Sequence, residues 1–220
     1  MTKDTGVAIH SNALLGKRVL LAIAGGIAAV ESVRLARELR RHQADLTVIM
    51  SEEATKIITP LAVSWGSDTI VHQGWSSEMS QLEAFDLILI APATRNTISK
   101  HLHGIMDSPL LMALSASRGR KSKLCFVPSM HTDLFDDPVT SELLDALRDE
   151  GSHVIINEVD EGKLKQPDPI SIVAEVCHIA NRSQSSKSIA ITMGANRAPI
   201  DAVRAIQNAS SGRTGWIIAE

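Results

Sequence analysis

The sequence predicts an α/β protein built around a doubly wound parallel sheet. Short, continuous apolar runs recur along the chain, as expected of strands that are buried on both faces. Stretches with the apolar periodicity of amphipathic helices separate these runs. Repeated strand–helix units imply a parallel sheet covered by helices on both sides. The chain has 220 residues, 44% of them hydrophobic, which is enough for one good-sized core.

The alternation begins with an apolar run at residues 18–24, and Gly25 and Gly26 end this run. Residues 27–41 follow with apolar side chains at helical spacing, and Arg40 and Arg41 lie where a helix dipole favours cations. The same reasoning predicts further strands at 45–50, 86–91, 123–128 and 153–156, and further helices at 52–58, 139–150 and 170–180.

A polar, serine-rich stretch at residues 181–187 breaks this pattern and predicts a linker. After it we expect a strand at 188–193 and a helix at 200–208. A unit this short is too small to form a separate core.

The composition excludes several classes of function. Only 3% of the residues are aromatic and Tyr is absent, which argues against base-stacking nucleic-acid modules and excludes a catalytic tyrosine. The formal net charge of −3 gives no electrostatic case for nucleic acid or an anionic membrane. The cysteines form no CxxC pattern, and neither a signal peptide nor an apolar run of about 20 residues is present. We therefore expect a cytoplasmic protein without a nucleic-acid or membrane partner.

Ligands of such sheets bind outside the carboxyl ends of the strands, which here are the loops at 25–26, 51–52, 92–97 and 128–138. The glycine turn is either purely structural or a phosphate site at a helix start. Either Thr94 or Asn96 can cap the next helix. Together with Thr97, these residues can form a polar cradle for a phosphate or a heteroaromatic edge.

The fourth loop contains His131 and Asp133. A lone histidine near an aspartate is more often a surface hydrogen bond than a catalytic pair. The histidines form no HxxxH or HExxH pattern, so we expect no metal site. A GxSxG elbow and a Walker motif are absent as well.

Four segments together resemble a known family. They are AGGIAA at 24–29, APATRNTISK at 91–100, GIMDS at 104–108 and PSMH at 128–131. In this order and spacing they resemble the homo-oligomeric flavin-containing cysteine decarboxylases, closest to the phosphopantothenoylcysteine decarboxylases of coenzyme A biosynthesis. The resemblance covers about residues 17–178. It is to the archaeal branch in particular, because the segment EGKLK at 161–165 replaces the cysteine-bearing substrate flap of other members.

The resemblance implies a flavodoxin-like or Rossmann-like three-layer flavoprotein that assembles as trimers or as shells of trimers. FMN is expected at a subunit boundary, and the substrate is expected beside Met130 and His131. The residues that the resemblance assigns to FMN are Gly25, Gly26, Ile27, Ser51, Ala93, Thr94, Asn96 and Thr97.

The family's mechanism is a redox-assisted decarboxylation. FMN oxidises the cysteinyl thiol to a thioaldehyde, the carboxylate leaves, and the reduced flavin returns the electrons. The family's catalytic histidine position falls on Glu78, so Glu78 and His131 are the catalytic candidates. This departure leaves three functions open: a decarboxylase, an FMN oxidoreductase such as a dihydromethanopterin or dihydropterin reductase, and a non-catalytic flavin-binding regulatory subunit.

The end of the chain carries a second resemblance. Residues 191–204 and 208–215 resemble the opening of phosphopantothenate–cysteine ligase, which is often fused behind the decarboxylase. We therefore expect an FMN-binding flavoprotein domain at 1–180, followed at 181–220 by a linker and a truncated ligase-like remnant without ligase activity.

Overall fold

A computed structural model of the chain describes residues 6–75, 77, 82–157, 159–160, 163–182, 197–199 and 205–207. The chain divides into two compact units, Met1–Arg182 and Ser183–Glu220. Glu78, the first catalytic candidate, lies outside the described residues.

The first unit alternates strands and helices as predicted. Its strands are β1 (Arg18–Ile23), β2 (Asp45–Met50), β3 (Val71–Gln73), β4 (Leu87–Ala93), β5 (Lys123–Pro128), β6 (Met130–His131), β7 (His153–Val154), β8 (Val159–Asp160) and β9 (Lys163–Leu164). Its α-helices are α1 (Ser32–Arg41), α2 (Glu52–Thr55), α3 (Pro60–Ser67), α4 (Arg95–Leu102), α5 (Pro109–Gly119), α6 (Thr132–Phe135), α7 (Pro138–Asp149) and α8 (Pro169–Asn181).

The main sheet has six strands in the order β3-β2-β1-β4-β5-β7. All of its pairs are parallel. The chain builds outward from β1 in one direction and then in the other, so the predicted doubly wound parallel sheet is confirmed. A smaller antiparallel sheet, in the order β6-β9-β8, lies beyond the carboxyl end of β5.

The core lies on both faces of this sheet. Leu21 and Ile23 of β1 join one apolar cluster, whereas Leu20 and Ala22 join the other, and all four are fully buried. Helices α1 and α8 cover the first cluster, and α5 and α7 cover the second. Burial on both faces explains why the strands read as unbroken apolar runs.

The predicted helix at 27–41 begins differently. Residues Ile27–Glu31 form a 3₁₀ turn, and α1 starts only at Ser32. Ala29 is the buried residue of this turn, whereas the side chains of Ile27 and Val30 are 75% and 50% exposed, so the turn lacks the apolar stripe of α1.

Several elements had no counterpart in the sequence prediction, among them α3, β3 and α5. Helix α3 exposes Leu61 and Trp65, so its apolar residues do not form a single stripe. It is fixed instead by its approach to α1, where a Cβ on Gly66 would lie 2.8 Å from the backbone oxygen of Val33.

In the second unit, β10 (Arg197–Pro199) pairs antiparallel with β11 (Ala205–Gln207). The predicted helix at 200–208 is therefore wrong at residues 205–207, while the predicted strand at 188–193 lies outside the described residues. Antiparallel pairing lets β10 and β11 satisfy each other's backbone groups.

Within the described residues, no helix has both the length and the apolar character that crossing a membrane requires.

Both cysteines are free, and their surroundings hold them as thiols. Burial raises the pKa of Cys125 to about 12. Burial, followed by the charge of Glu38, raises the pKa of Cys177 to about 11. We expect the thiolate fraction of native Cys125 at neutral pH to be about a thousandfold below that of a free thiol.

Alkylation by iodoacetamide tests this expectation. Native Cys125 should remain unmodified while the urea-unfolded chain reacts at both cysteines, as measured by peptide mass spectrometry. Rapid modification of Cys125 in the folded protein would contradict the buried position of β5.

Candidate functional site

The carboxyl ends of β1, β2 and β4 bring three of the predicted loops together. The backbone N–H of Ala24 donates to the Pro92 carbonyl at 3.2 Å, and that of Ser51 donates to the Ile23 carbonyl at 2.9 Å. On the other side, the N–H of Ser129 donates to the Ala93 carbonyl at 3.3 Å. These bonds tie each loop to its neighbour, so the loops form one continuous surface.

The described part of the chain forms two cavities along this surface, and the first has a volume of about 390 Å³. It is lined mainly by polar side chains from the starts of α2, α4 and α5. The lining residues are Gly25, Ser51, Glu52, Glu53, Thr94, Asn96, Thr97, Lys100, Asp107, Ser108, Leu110 and Leu111. We call it the hydroxyl cavity.

Thr94 and Thr97 are joined within the hydroxyl cavity. Thr94 caps α4: its Oγ1 accepts a hydrogen bond from the Thr97 N–H at 3.2 Å and lies 2.9 Å from the Thr97 Oγ1. Asn96 takes no part in this cap, and its side chain lines the cavity instead. Capping therefore accounts for Thr94 but leaves Asn96 available to a ligand.

Ser51 repeats this arrangement at the end of β2. Its Oγ accepts a hydrogen bond from the Ala54 N–H at 3.2 Å and caps the short helix α2. A hydroxyl that accepts in a cap still has its own proton to donate. The site therefore offers the Ser51 hydroxyl and one hydroxyl proton of the Thr94–Thr97 pair as donors on neighbouring loops.

Charged side chains around the hydroxyl cavity were missed at the sequence level. Lys100 Nζ lies 2.5 Å from Asp107 Oδ2, and both residues line the cavity. Lys100 lies one helical turn after Asn96, and that i, i+4 spacing is the signal that could have identified it. Glu52 and Glu53 line the same cavity, so its charge is mixed.

Not every residue predicted for the cofactor lines the hydroxyl cavity. Ala93 is fully buried in β4 and joins a core cluster. Ile27 lines the second cavity instead. Gly26 lines neither cavity, and its nearest neighbours across the loop are Pro92 and Thr94.

The second cavity has a volume of about 490 Å³ and a largely apolar wall. Met130 of β6 pairs with Leu164 of β9, which brings two distant parts of the chain to this cavity. The lining residues are Ile27, Ala28, Glu31, Ser129, Met130, His131, Leu164, Lys165 and Gln166. We call it the Met130 cavity.

Gln166 is a residue that sequence reasoning missed. Both polar atoms of its side-chain amide are buried, and neither has a hydrogen-bond partner among the described residues. Because a buried amide without a partner is costly, such a group in a cavity wall points to a ligand. Its position directly after the segment at 161–165 was the only available signal.

His131 lies at the mouth of the Met130 cavity, and its side chain is 55% exposed. Its Nδ1 accepts a hydrogen bond from the Asp133 N–H at 3.3 Å, which makes His131 the cap of α6. The interaction with Asp133 is thus a local surface contact made by Nδ1, and Nε2 takes no part in it.

Sequence comparisons assign this architecture to a family. The family described as Flavoprotein matches residues 7–181. The chain belongs to the Flavoprotein family. Residues 184–220 match a second family, the DNA/pantothenate metabolism flavoprotein C-terminal domain. The membership predicted from the four motif segments is therefore confirmed.

The chain is also similar to curated proteins that are named for coenzyme A biosynthesis. The chain is 38% identical over 221 residues to the coenzyme A biosynthesis bifunctional protein CoaBC of Thermococcus kodakarensis, covering 97% of this chain and 55% of that protein. It is 32% identical over 216 residues to the CoaBC protein of Methanocaldococcus jannaschii, covering 96% and 53%. The chain thus spans about half the length of the curated relatives it matches.

Solved structures share the fold. The FMN-dependent cysteine decarboxylase SpaF superposes with a TM-score of 0.65 at 22% identity, covering 77% of this chain and 99% of that one. A PPC decarboxylase mutant complexed with pantothenoylaminoethenethiol gives a TM-score of 0.63 at 21% identity, covering 73% and 96%.

The two glycines of the first loop should respond very differently to substitution. A Cβ on Gly25 would lie 2.2 Å from the Cβ of Glu53, whereas a Cβ on Gly26 would meet nothing closer than 3.5 Å. We expect Gly25→Ala to lower the free energy of unfolding by about 1–3 kcal/mol through overpacking. Gly26→Ala, the matched control, should stay within about 1 kcal/mol of the parent.

Urea denaturation of both variants measures the difference. Equal stability of Gly25→Ala and Gly26→Ala would mean that the first loop does not pack against α2 as described.

Proposed function

We propose that residues 1–180 form an FMN-binding unit that decarboxylates a cysteinyl substrate of coenzyme A biosynthesis, in the manner of PPC decarboxylase. The observation that carries the proposal is the loop after β1, which separates the two cavities. Gly25 lines the hydroxyl cavity, while Ile27 and Ala28 line the Met130 cavity. A cofactor on one side and a substrate on the other would meet across this loop. The names of the curated relatives support the pathway.

The hydroxyl cavity fits FMN by the chemistry of its donors. Ser51, Thr94 and Thr97 offer hydroxyl groups, and Asn96 offers an amide, to phosphate and ribityl oxygens. Lys100 adds a positive charge. The volume of 390 Å³ lies in the range of about 300–1,000 Å³ that is usual for cofactor sites.

Charge favours one end of the hydroxyl cavity for the phosphate. Glu52 and Glu53 would repel it on the α2 side. Lys100 on α4 is the cation of the lining, and it would have to exchange its partner Asp107 for the phosphate. Ile27, which is 75% exposed at the loop, offers an apolar surface to the isoalloxazine ring.

Bound FMN would supply a two-electron acceptor for the substrate thiol and would return the electrons once CO₂ has left. The protein's part is to hold the substrate. Met130 gives the Met130 cavity an apolar wall, and the Gln166 amide can donate a hydrogen bond to a substrate carboxylate or amide. His131 stands at the mouth of this cavity with its Nε2 free of the capping interaction.

We propose that Glu78 occupies the position of the family's catalytic histidine. A carboxyl group can act as a general base when its surroundings raise its pKa. Its negative charge would oppose a substrate carboxylate, and this favours a second candidate function. That function is an FMN oxidoreductase which passes electrons to a pterin acceptor, because such a reaction needs no decarboxylation histidine.

We also propose self-association, as a trimer or a shell of trimers, in a cytoplasmic setting. Several large apolar side chains are exposed, including Ile27, Leu61, Trp65 and Ile70, and burial against another copy would remove them from water. The free cysteines fit a reducing compartment. Residues 181–220 are proposed as a linker followed by a ligase-like element, which the second family match supports.

FMN binding is tested with the full chain and added FMN. We expect saturable binding of one FMN per chain, measured by flavin fluorescence quenching. Asn96→Ala should weaken the affinity about tenfold, because one hydrogen bond of roughly 1.4 kcal/mol is lost. Asn157→Ala, an exposed amide that lines neither cavity, is the matched control. A protein that rejects FMN would overturn the proposal.

The reaction is tested by CO₂ release from phosphopantothenoylcysteine with the FMN-loaded protein. Release by the parent chain supports the decarboxylase, and Glu78→His should raise the rate if the imidazole is the missing group. No release from either protein, together with NAD(P)H-driven reduction of a dihydropterin, would support the oxidoreductase. FMN binding without either reaction would leave the regulatory flavin-binding subunit as the function.

A further inference from the structure

A cluster of three potential metal ligands lies apart from both cavities. His10 Nδ1, a Glu38 carboxylate oxygen and a His42 ring nitrogen all lie within 4.8 Å of one another. Glu38 and His42 are one helical turn apart at the end of α1, and His10 belongs to the segment that precedes β1. Helix α1 connects two parallel strands, so its end lies at the amino edge of the sheet, opposite the cavities.

The distances suit a shared cation better than direct hydrogen bonds. His42 Nε2 lies 3.6 Å from Glu38 Oε1, and His10 Nδ1 lies 3.8 Å from the same oxygen. Both separations are too long for a hydrogen bond. Ligands held about 2.0–2.2 Å from a tetrahedral zinc ion are about 3.3–3.5 Å apart, so small side-chain movements would complete the geometry.

One carboxylate oxygen of Glu38 remains open to a cation. The Glu38 side chain is only 4% exposed, and Arg41 compensates its charge through the other oxygen. Arg41 Nη1 binds Oε2 at 2.5 Å, which leaves Oε1 facing the two imidazoles. The cluster lies at the carboxyl end of a ten-residue helix, where the helix dipole favours positive charge.

The ligands are held in place by a second set of contacts. Ser11 Oγ lies 2.7 Å from His42 Nδ1, and it also accepts a hydrogen bond from the Ala13 N–H at 3.2 Å. With the Nδ1 proton donated to Ser11, the lone pair of His42 Nε2 faces Glu38, as in metal sites whose histidines are oriented by a second hydrogen bond.

The backbone fixes the remaining ligand. The N–H of His10 donates to the Arg41 carbonyl at 2.8 Å, and the N–H of Leu14 donates to the His42 carbonyl at 2.9 Å. His10 therefore stands beside the end of α1 without any ion to hold it there.

We propose that His10, Glu38 and His42 bind one divalent cation of the zinc class. Two imidazoles and one carboxylate suit zinc better than magnesium or calcium, which prefer sites made only of oxygen. Water would fill the fourth position on the solvent side, where the His10 side chain is 53% exposed. The ion would add a further link between residues 10–14 and α1, beside the backbone hydrogen bonds that already join them.

The sequence patterns predicted no metal site, because HxxxH and HExxH both pair two histidines on one helix. Here the helical pair is Glu38 and His42. The third ligand comes from a distant segment that only the folded chain brings close.

The test uses the full chain after treatment with a chelator and dialysis. Titration with Zn²⁺ in a calorimeter should show one ion per chain, and Co²⁺ should give the visible absorption of a tetrahedral complex. His10→Ala removes an exposed ligand and should weaken binding at least tenfold. His103→Ala is the matched control, because His103 is exposed and lies outside the cluster, and it should bind as the parent does.

Ser11→Ala tests the positioning role of the serine: affinity should fall by about tenfold or more, and Ser11→Thr should restore it. Thermal unfolding gives a second readout, in which Zn²⁺ raises the midpoint of the parent but not that of His10→Ala. The proposal is overturned by the absence of saturable binding. It is equally overturned if His10→Ala binds like the parent, or if His103→Ala loses as much affinity.

Discussion

The burial of β1 on both faces, between two parallel neighbours, is the constraint on which the rest of the structure depends. Its register places Val19 beside Leu46 of β2 on one side and beside Leu87 of β4 on the other. Parallel strands in such a register end at the same edge of the sheet. The loops that follow them have to meet there, and the site is the consequence of that meeting.

Where these loops meet, the same polar groups serve both the fold and the site. Ser51 and Thr94 satisfy backbone N–H groups at the starts of α2 and α4, and they also line the hydroxyl cavity. Gly25 allows the first loop to approach Glu53 closely, and the chain then continues to Ile27 on the other side of that loop. The first loop therefore lies between the two cavities because it packs closely against α2.

Helix α1 runs from the carboxyl edge of the sheet, where the cavities lie, to the amino edge. Glu31, directly before α1, lines the Met130 cavity, while Glu38 and His42 at its other end belong to the ligand cluster. Between them, Leu35 and Leu39 pack into the core that also contains α8. These core contacts hold the helix along its length. They also separate the Met130 cavity near its start from the ligand cluster at its end.

The sequence by itself determined the sheet, because strands buried on both faces must be apolar at every position, and such runs are visible without a structure. It also determined which loops carry the site, since the parallel-sheet rule needs only the order of strands and helices. Thr94, Asn96 and Ser51 lie in loops predicted in this way, and they line the hydroxyl cavity. The tertiary structure alone decided that Ala93 is a core residue and that Ile27 lines the Met130 cavity. It also decided that residues 205–207 form a strand, that Gln166 is buried without a partner among the described residues, and that His10 stands beside Glu38. Each of these features depends on tertiary contacts, most of them between residues far apart in the chain. Local periodicity in the sequence does not predict such contacts.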